Sequence, residues 1–198
     1  MVDQYDVVIV GGGVIGCASA YYLAKDGVKV LVIERDGIGA HASGYAAGGL
    51  NPLEGKGIPG LLGPIAMESY RMHLRLWDNL RSETEVDFDP RLIPMVSVAF
   101  QESQLHVLRE KAELYENTEG FSGVYLDSAC LYKTVPKLAS GMKGGVYTYG
   151  NAALDSYRYT VALAEGVKQC GGEIYTDVVT GLSRKNNRVT AVITNERE

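Results

Sequence analysis

Two short, nearly continuous apolar runs, residues 5–10 and 28–33, bracket a stretch with a different periodicity at the start of the chain. Short β-branched runs of this kind predict strands buried on both faces of a parallel sheet. Residues 14–25 have helical spacing, with Ala18, Tyr21, Tyr22 and Leu23 able to share a face. Strand, helix and strand in this order make a βαβ unit.

From 36 to 63 the chain is rich in Gly and Ala, too long for a connector and too apolar for a disordered linker, which predicts a structured functional loop. Residues 65–80 set Ile65, Ser69, Met72, Leu76 and Leu80 at helical spacing, with Trp77 as a core residue. The middle third changes character. A strand is expected at 95–100, a charged helix at 102–116, and short strands at 123–126 and 145–149. This segment, 85–152, reads as a mostly antiparallel unit inserted between residues 1–84 and 153–198. A helix over 156–170 closes at Gly171-Gly172, a parallel-type strand follows at 173–177, and 178–184 with 188–194 form a hairpin turning at Asn186-Asn187.

Composition narrows the possibilities. The 198 residues are 46% hydrophobic and 22% charged, which suits a globular core. A net charge of -5 without a basic cluster lacks the positive footprint that nucleic acid needs, and no nucleic-acid partner is expected. No window approaches a membrane span, Asp3 and Asp6 stand where a signal peptide would be basic, and the expected location is cytoplasmic. Cys17, Cys130 and Cys170 are far apart and read as free thiols, with no metal site expected. Glycine is the outlier: there are 24, and more than half stand at or before Gly63. That crowding points to a local site.

The run Gly11-Gly12-Gly13-Val14-Ile15-Gly16 fits G-x-G-x-x-G directly after a predicted strand and at the start of a helix. Gly11 allows the tight turn, Gly13 the approach of a diphosphate to the backbone, and Gly16 close packing of helix on sheet. The diphosphate would sit at the helix N-terminus, beside Val14 and Ile15, where unpaired N–H groups favour negative charge. Glu34 closes the second strand; a carboxylate there can accept both ribose hydroxyls and repels a 2′-phosphate, so FAD or NAD is expected rather than NADP. The simpler alternative is a glycine-rich turn and an exposed Glu that bind nothing. Residues 42–50, Ala-Ser-Gly-Tyr-Ala-Ala-Gly-Gly-Leu, favour FAD, because small residues let backbone run against a large flat cofactor.

These residues resemble the FAD-dependent amine oxidoreductases of the D-amino-acid oxidase fold, in particular the glycine oxidase and D-amino-acid dehydrogenase branch. The resemblance rests on the 11–16 turn, Ala20-Tyr21-Tyr22-Leu23-Ala24-Lys25, Glu34 and the 43–50 loop, with weaker matches at Leu154-Asp155 and Gly171-Gly172-Glu173-Ile174. It implies an α/β fold: a Rossmann-like FAD-binding domain with a parallel sheet and a β-hairpin, interrupted by a partial α+β substrate domain. It further implies that Glu34 and Arg35 hold the adenosine ribose region and that Ala42 and Ser43 hold the diphosphate. Ala46, Ala47, Gly48, Gly49 and Leu50 would line the ribityl chain and flavin, and Val179, or Val178, would meet adenine through its backbone.

Two departures bear on chemistry. Position 49 is Gly where glycine oxidases tend to carry Met, and Tyr45 stands roughly where relatives with covalent flavin carry His, so noncovalent FAD is expected. Family members continue past the hairpin into an Ala/Thr-Gly turn and a substrate-binding Arg. The chain ends at Glu198 before either, as an amino-terminal portion, a truncated form or a split subunit would. The implied activity is oxidation of a small amino acid or amine to an imine, with hydride passing to flavin. No catalytic residue is expected within the chain; Tyr147, Tyr149, Tyr157 and Tyr159 read as packing before substrate contacts. The alternatives are a flavin dehydrogenase of hydroxy acids, the flavin module of a tRNA-modifying amine oxidase, or an FAD-binding fragment without turnover. The oligomeric state stays open.

Overall fold

The structure, a computed structural model, describes residues 4–196. Asp3 and the two chain ends used as expected limits lie outside them. The fold divides into two compact units: one holds residues up to Gly48, Arg75–Asp89 and residues from Leu154 onward, the other Gly49–Leu74 and Pro90–Ala153.

In the first unit, β1 (Val7–Val10), β2 (Val30–Glu34) and β7 (Glu173–Thr176) form a parallel sheet in the order β1-β2-β7. The central strand is the apolar one: Val30, Leu31, Val32 and Ile33 are all buried. β1 differs from the expectation of burial on both faces. It pairs only with β2 among the described residues, and Val10 is exposed. Helix α1 spans Val14–Lys25, the residues expected from periodicity, but buries Cys17, Ala20, Tyr21 and Ala24 and leaves Tyr22 outward. Its partner is α5 (Ser156–Gln169), N-capped by Asp155, whose carboxylate accepts the Arg158 N–H at 2.9 Å. The chain then turns through Gly171 at φ +84° into β7. Strands β8 (Val179–Lys185) and β9 (Arg188–Thr194) form the expected hairpin, turning at Asn186 and Asn187 with φ of 49° and 62°, as a type I′ turn requires.

In the second unit, β6 (Gly144–Ala153) is the spine. It pairs antiparallel with β4 (Arg91–Ala99), β5 (Ser122–Asp127) and the two-residue β3 (Gly49–Leu50). Pro94 lies where the β4 register shifts between Ile93 and Met95, the irregular position a strand proline tolerates. Helix α3 (Leu105–Glu116) follows a 3-10 turn and packs Leu108 and Ala112 against Ala99 and Val146. The short α4 (Ser128–Thr134), capped by Asp127, was not expected from the sequence.

Helix α2 (Gly63–Thr84) corrects the single apolar stripe expected over 65–80: Ile65 and Met72 are exposed, whereas Tyr70, Leu76, Trp77 and Leu80 are buried. The three cysteines are free thiols; Cys17 is buried, and burial, then the charge of Glu34, pushes its pKa up to about 11.

Gly166 tests how tightly α1 and α5 pack. A methyl added there would lie 2.7 Å from the Tyr21 ring, whose hydroxyl donates to Glu83 at 2.9 Å and so cannot readily move. Overpacking costs about 1–3 kcal/mol, against a helix-propensity gain of up to ~1 kcal/mol. Gly166→Ala is therefore expected to lose about 1 kcal/mol net, a fall of about 2–4 °C in melting temperature by calorimetry.

Candidate functional site

The β1-to-α1 turn is built by steric exclusion. Gly11 leaves the strand at φ +109°, its N–H donating to Ile33 O at 2.8 Å, and a methyl on Gly16 would collide with the Gly11 carbonyl oxygen. Gly13 caps α1 with extended backbone and no side-chain cap, and the first turn of the helix carries no acidic residue. The helix start therefore presents N–H groups and a positive dipole end to a cleft of about 450 Å³ lined by Gly11, Gly13, Val14, Ile15, Gly16 and Ser43. Ser43 Oγ accepts the Val14 N–H at 3.0 Å and lies 3.0 Å from where a Gly13 methyl would stand.

Glu34 is joined to the same turn. Parallel register pairs Val10 with Ile33, which brings the next residue of β2 alongside the glycines. One Glu34 oxygen accepts the Gly12 N–H at 2.6 Å and the other the Asp36 N–H at 2.9 Å. Desolvation pushes its pKa up, but the backbone N–H groups of Asp36, Gly12, Gly37 and Arg35 outweigh it and hold the carboxyl below its usual range. Asp36 in turn takes His41 Nε2 at 2.6 Å and Arg35 Nε at 3.0 Å, which lowers its own pKa.

The structure thus brings Gly11, Gly13, Val14, Ile15, Gly16, Glu34 and Ser43 together. Arg35 and Ala42 flank this group on the surface. Ala46 and Ala47 are exposed on the loop, and Gly48, at φ +76°, shares a 3.0 Å hydrogen bond with the Leu154 N–H. Gly49 and Leu50 form β3 in the second unit, and Val179 opens β8 and is not among the residues lining the cleft. Of the tyrosines, Tyr159 is core, edge-on to Phe88, while Tyr149 and Tyr157 are exposed.

Gly12, within the expected glycine run, is crowded too: a methyl there would meet Ile38 Cδ1 at 2.7 Å and Glu34 Cβ at 3.0 Å. Asp36, His41 and Ser156 were not expected from the sequence. Asp36 with His41, and Ser156, whose hydroxyl donates to Ala46 O at 2.7 Å, carried no pattern that would have singled them out.

A parallel βαβ unit with this turn and an acidic residue closing its second strand defines a dinucleotide-binding α/β protein. The chain belongs to the FAD dependent oxidoreductase family (DAO), which it matches over residues 6–198. It is 28% identical to a glycine oxidase of Bacillus licheniformis over 182 residues, 91% of this chain and 48% of that protein. Among solved structures, glycine oxidase from Bacillus cereus superposes with a TM-score of 0.86 at 30% identity, over 98% of this chain and 52% of that one. L-α-glycerophosphate oxidase from Mycoplasma pneumoniae, solved with FAD bound, gives 0.81 at 27% identity, over 99% and 51%. The chain spans about half the length of the relatives it matches.

Because the folded Glu34 carboxyl titrates below its unfolded value, its hydrogen bonds stabilise the fold fully above about pH 4 and are lost as pH falls through the lower folded value. Glu34→Gln is expected to melt below the wild type at neutral pH, with the gap narrowing below about pH 4, in thermal melts across this range.

Proposed function

We propose that this chain binds FAD noncovalently and serves the oxidation of a small amino acid or amine of the glycine, sarcosine or D-amino-acid type. The reading is carried by the two backbone-to-side-chain hydrogen bonds at the start of α1, Gly12 N–H to Glu34 and Val14 N–H to Ser43. They hold a carboxylate and a hydroxyl beside a helix N-terminus that no side chain of α1 caps, which supports reading Glu34 as the ribose acceptor. The residues fit a dinucleotide: the 11–16 turn closes tightly only because Gly16 lacks a side chain, which would collide with the Gly11 carbonyl oxygen, and a helix N-terminus opens beside it.

In this reading Gly11, Gly13, Val14, Ile15 and Gly16 bind the diphosphate with Ala42 and Ser43, while Glu34 and Arg35 hold the adenosine ribose. Ala46, Ala47, Gly48, Gly49 and Leu50 line the ribityl chain and ring, and Val179 meets adenine. Residues 1–84 and 153–198 form the FAD-binding domain, 85–152 belong to the substrate domain, and the protein works in the cytoplasm. Bound FAD supplies the hydride acceptor. The chain's own contribution is alignment and a fixed electrostatic frame. Glycine at 49 leaves more space than a larger residue would. Among the described residues no helix is long and apolar enough to cross a membrane.

A second reading, oxidation of a hydroxyl-bearing carbon, is favoured by the likeness to the glycerophosphate oxidase. Anaerobic titration of the full-length protein separates the two. Bleaching of the flavin absorbance by glycine, sarcosine or D-alanine is the expected result; bleaching only by 2-hydroxy acids or glycerol phosphate moves the assignment to the second reading. A purified protein that shows no flavin bands after reconstitution overturns both. Acid precipitation is expected to release the flavin into the supernatant, and retention in the pellet would refute the noncovalent assignment.

A further inference from the structure

Resting on the reading that residues 42–48 embrace FAD, we propose that the first turn of α5 is the support that holds this loop in its binding shape, with Ser156 and Tyr157 as positioning residues. The loop cannot fix its own conformation. Its side chains are small apart from Tyr45, which is 86% exposed, and its local backbone bonds are the short turn contacts from Gly44 N–H and Tyr45 N–H to the O of the preceding His41. A segment of this composition gains little from burial and loses much conformational entropy on ordering.

Ser43 ties one end of the loop to the Val14 N–H of α1 at 3.0 Å, and the rest of its order comes from three places along one short element. Tyr157 lies against the two glycines at its base: a methyl on Gly39 would stand 3.3 Å from Tyr157 Cδ2 and one on Gly44 3.2 Å. Ser156 Oγ donates to Ala46 O at 2.7 Å. Leu154 N–H donates to Gly48 O at 3.0 Å, and a methyl on Gly48 would collide with Leu154 O. The supporting turn is itself fixed, by the Asp155 cap on Arg158 N–H at 2.9 Å and by Asp155 N–H to Phe88 O at 2.8 Å. A loop ordered before the ligand arrives does not charge its ordering entropy against binding. Tyr157 contributes through its ring, which the contacts at Cδ2 show, so the hydroxyl is dispensable.

The test uses the full-length protein and two readouts, the FAD dissociation constant by quenching of flavin fluorescence and the melting temperature of the flavin-free protein. Ser156→Ala is expected to weaken FAD binding about fivefold, the worth of one hydrogen bond. Tyr157→Ala is expected to weaken it about tenfold, a loss of supporting contacts at an exposed site. Tyr157→Phe is expected to bind like the wild type, and the flavin-free variants to melt within about 2 °C of it. Wild-type affinity in Tyr157→Ala, or a loss in Tyr157→Phe equal to that in Tyr157→Ala, would overturn the proposal. So would a fall in flavin-free melting temperature that accounts for the whole loss of affinity. A wild type that binds no FAD is a distinct outcome, which removes the functional reading itself and this inference with it.

Discussion

No side chain fits between Gly16 and the carbonyl oxygen of Gly11, and the first unit is organised by that close approach. It lets α1 begin after only three intervening residues beyond β1, so the helix lies tight against the sheet and its first N–H groups open beside the strand ends. Parallel pairing then does the rest. With Val10 opposite Ile33, the following residue of β2 stands next to the turn, and Glu34 reaches the Gly12 N–H. One backbone clearance thus sets helix position, anion-facing dipole and carboxylate position together.

The elements that were legible in the sequence owe their form to local rules. Helix α1 is bounded by a glycine turn and by the Asp26-Gly27 stop, and the hairpin turns where two asparagines tolerate positive φ. The Glu34 position followed from strand length and motif spacing. Elements whose form depends on distant partners were not legible. A two-residue strand such as β3 has no periodicity to detect; it exists because β6 offers Ala152 and Ala153 as partners. The stripe on α2 failed for a related reason. Its earlier residues belong to one unit, where Tyr70 packs on Phe121, and its later ones to the other, where Leu80 approaches Gly166. A helix that serves two cores changes its buried face along its length, and one extrapolated stripe cannot describe it.

The second unit hides a polar network that no short spacing announces. Lys111 Nζ lies 2.8 Å from Glu54 Oε1 and 2.7 Å from Ser97 Oγ, and the fully buried Tyr115 donates to Glu54 at 2.6 Å with Asn151 at 3.0 Å. Burial opposes ionisation of Glu54, yet the hydrogen bonds from Lys111 and Tyr115 prevail and its pKa is lowered. Removing one member would leave a partly buried charge short of a partner, which is why such groups act as a unit. The network ties the segment after β3 to α3 and β6, and its members come from four separate stretches of sequence.

The small residues of the early loop are explained only in part by what they leave room for. Read from sequence, their smallness serves the approach of a cofactor. The structure adds that the protein's own atoms crowd the same backbone: Ile38 beside Gly12, Tyr157 beside Gly39 and Gly44, and the Leu154 carbonyl beside Gly48. A glycine here is constrained by its own fold whether or not a ligand is present. The early excess of glycine therefore reflects two demands at once, a surface open enough to admit a dinucleotide and a loop held close enough to its supports to keep one shape.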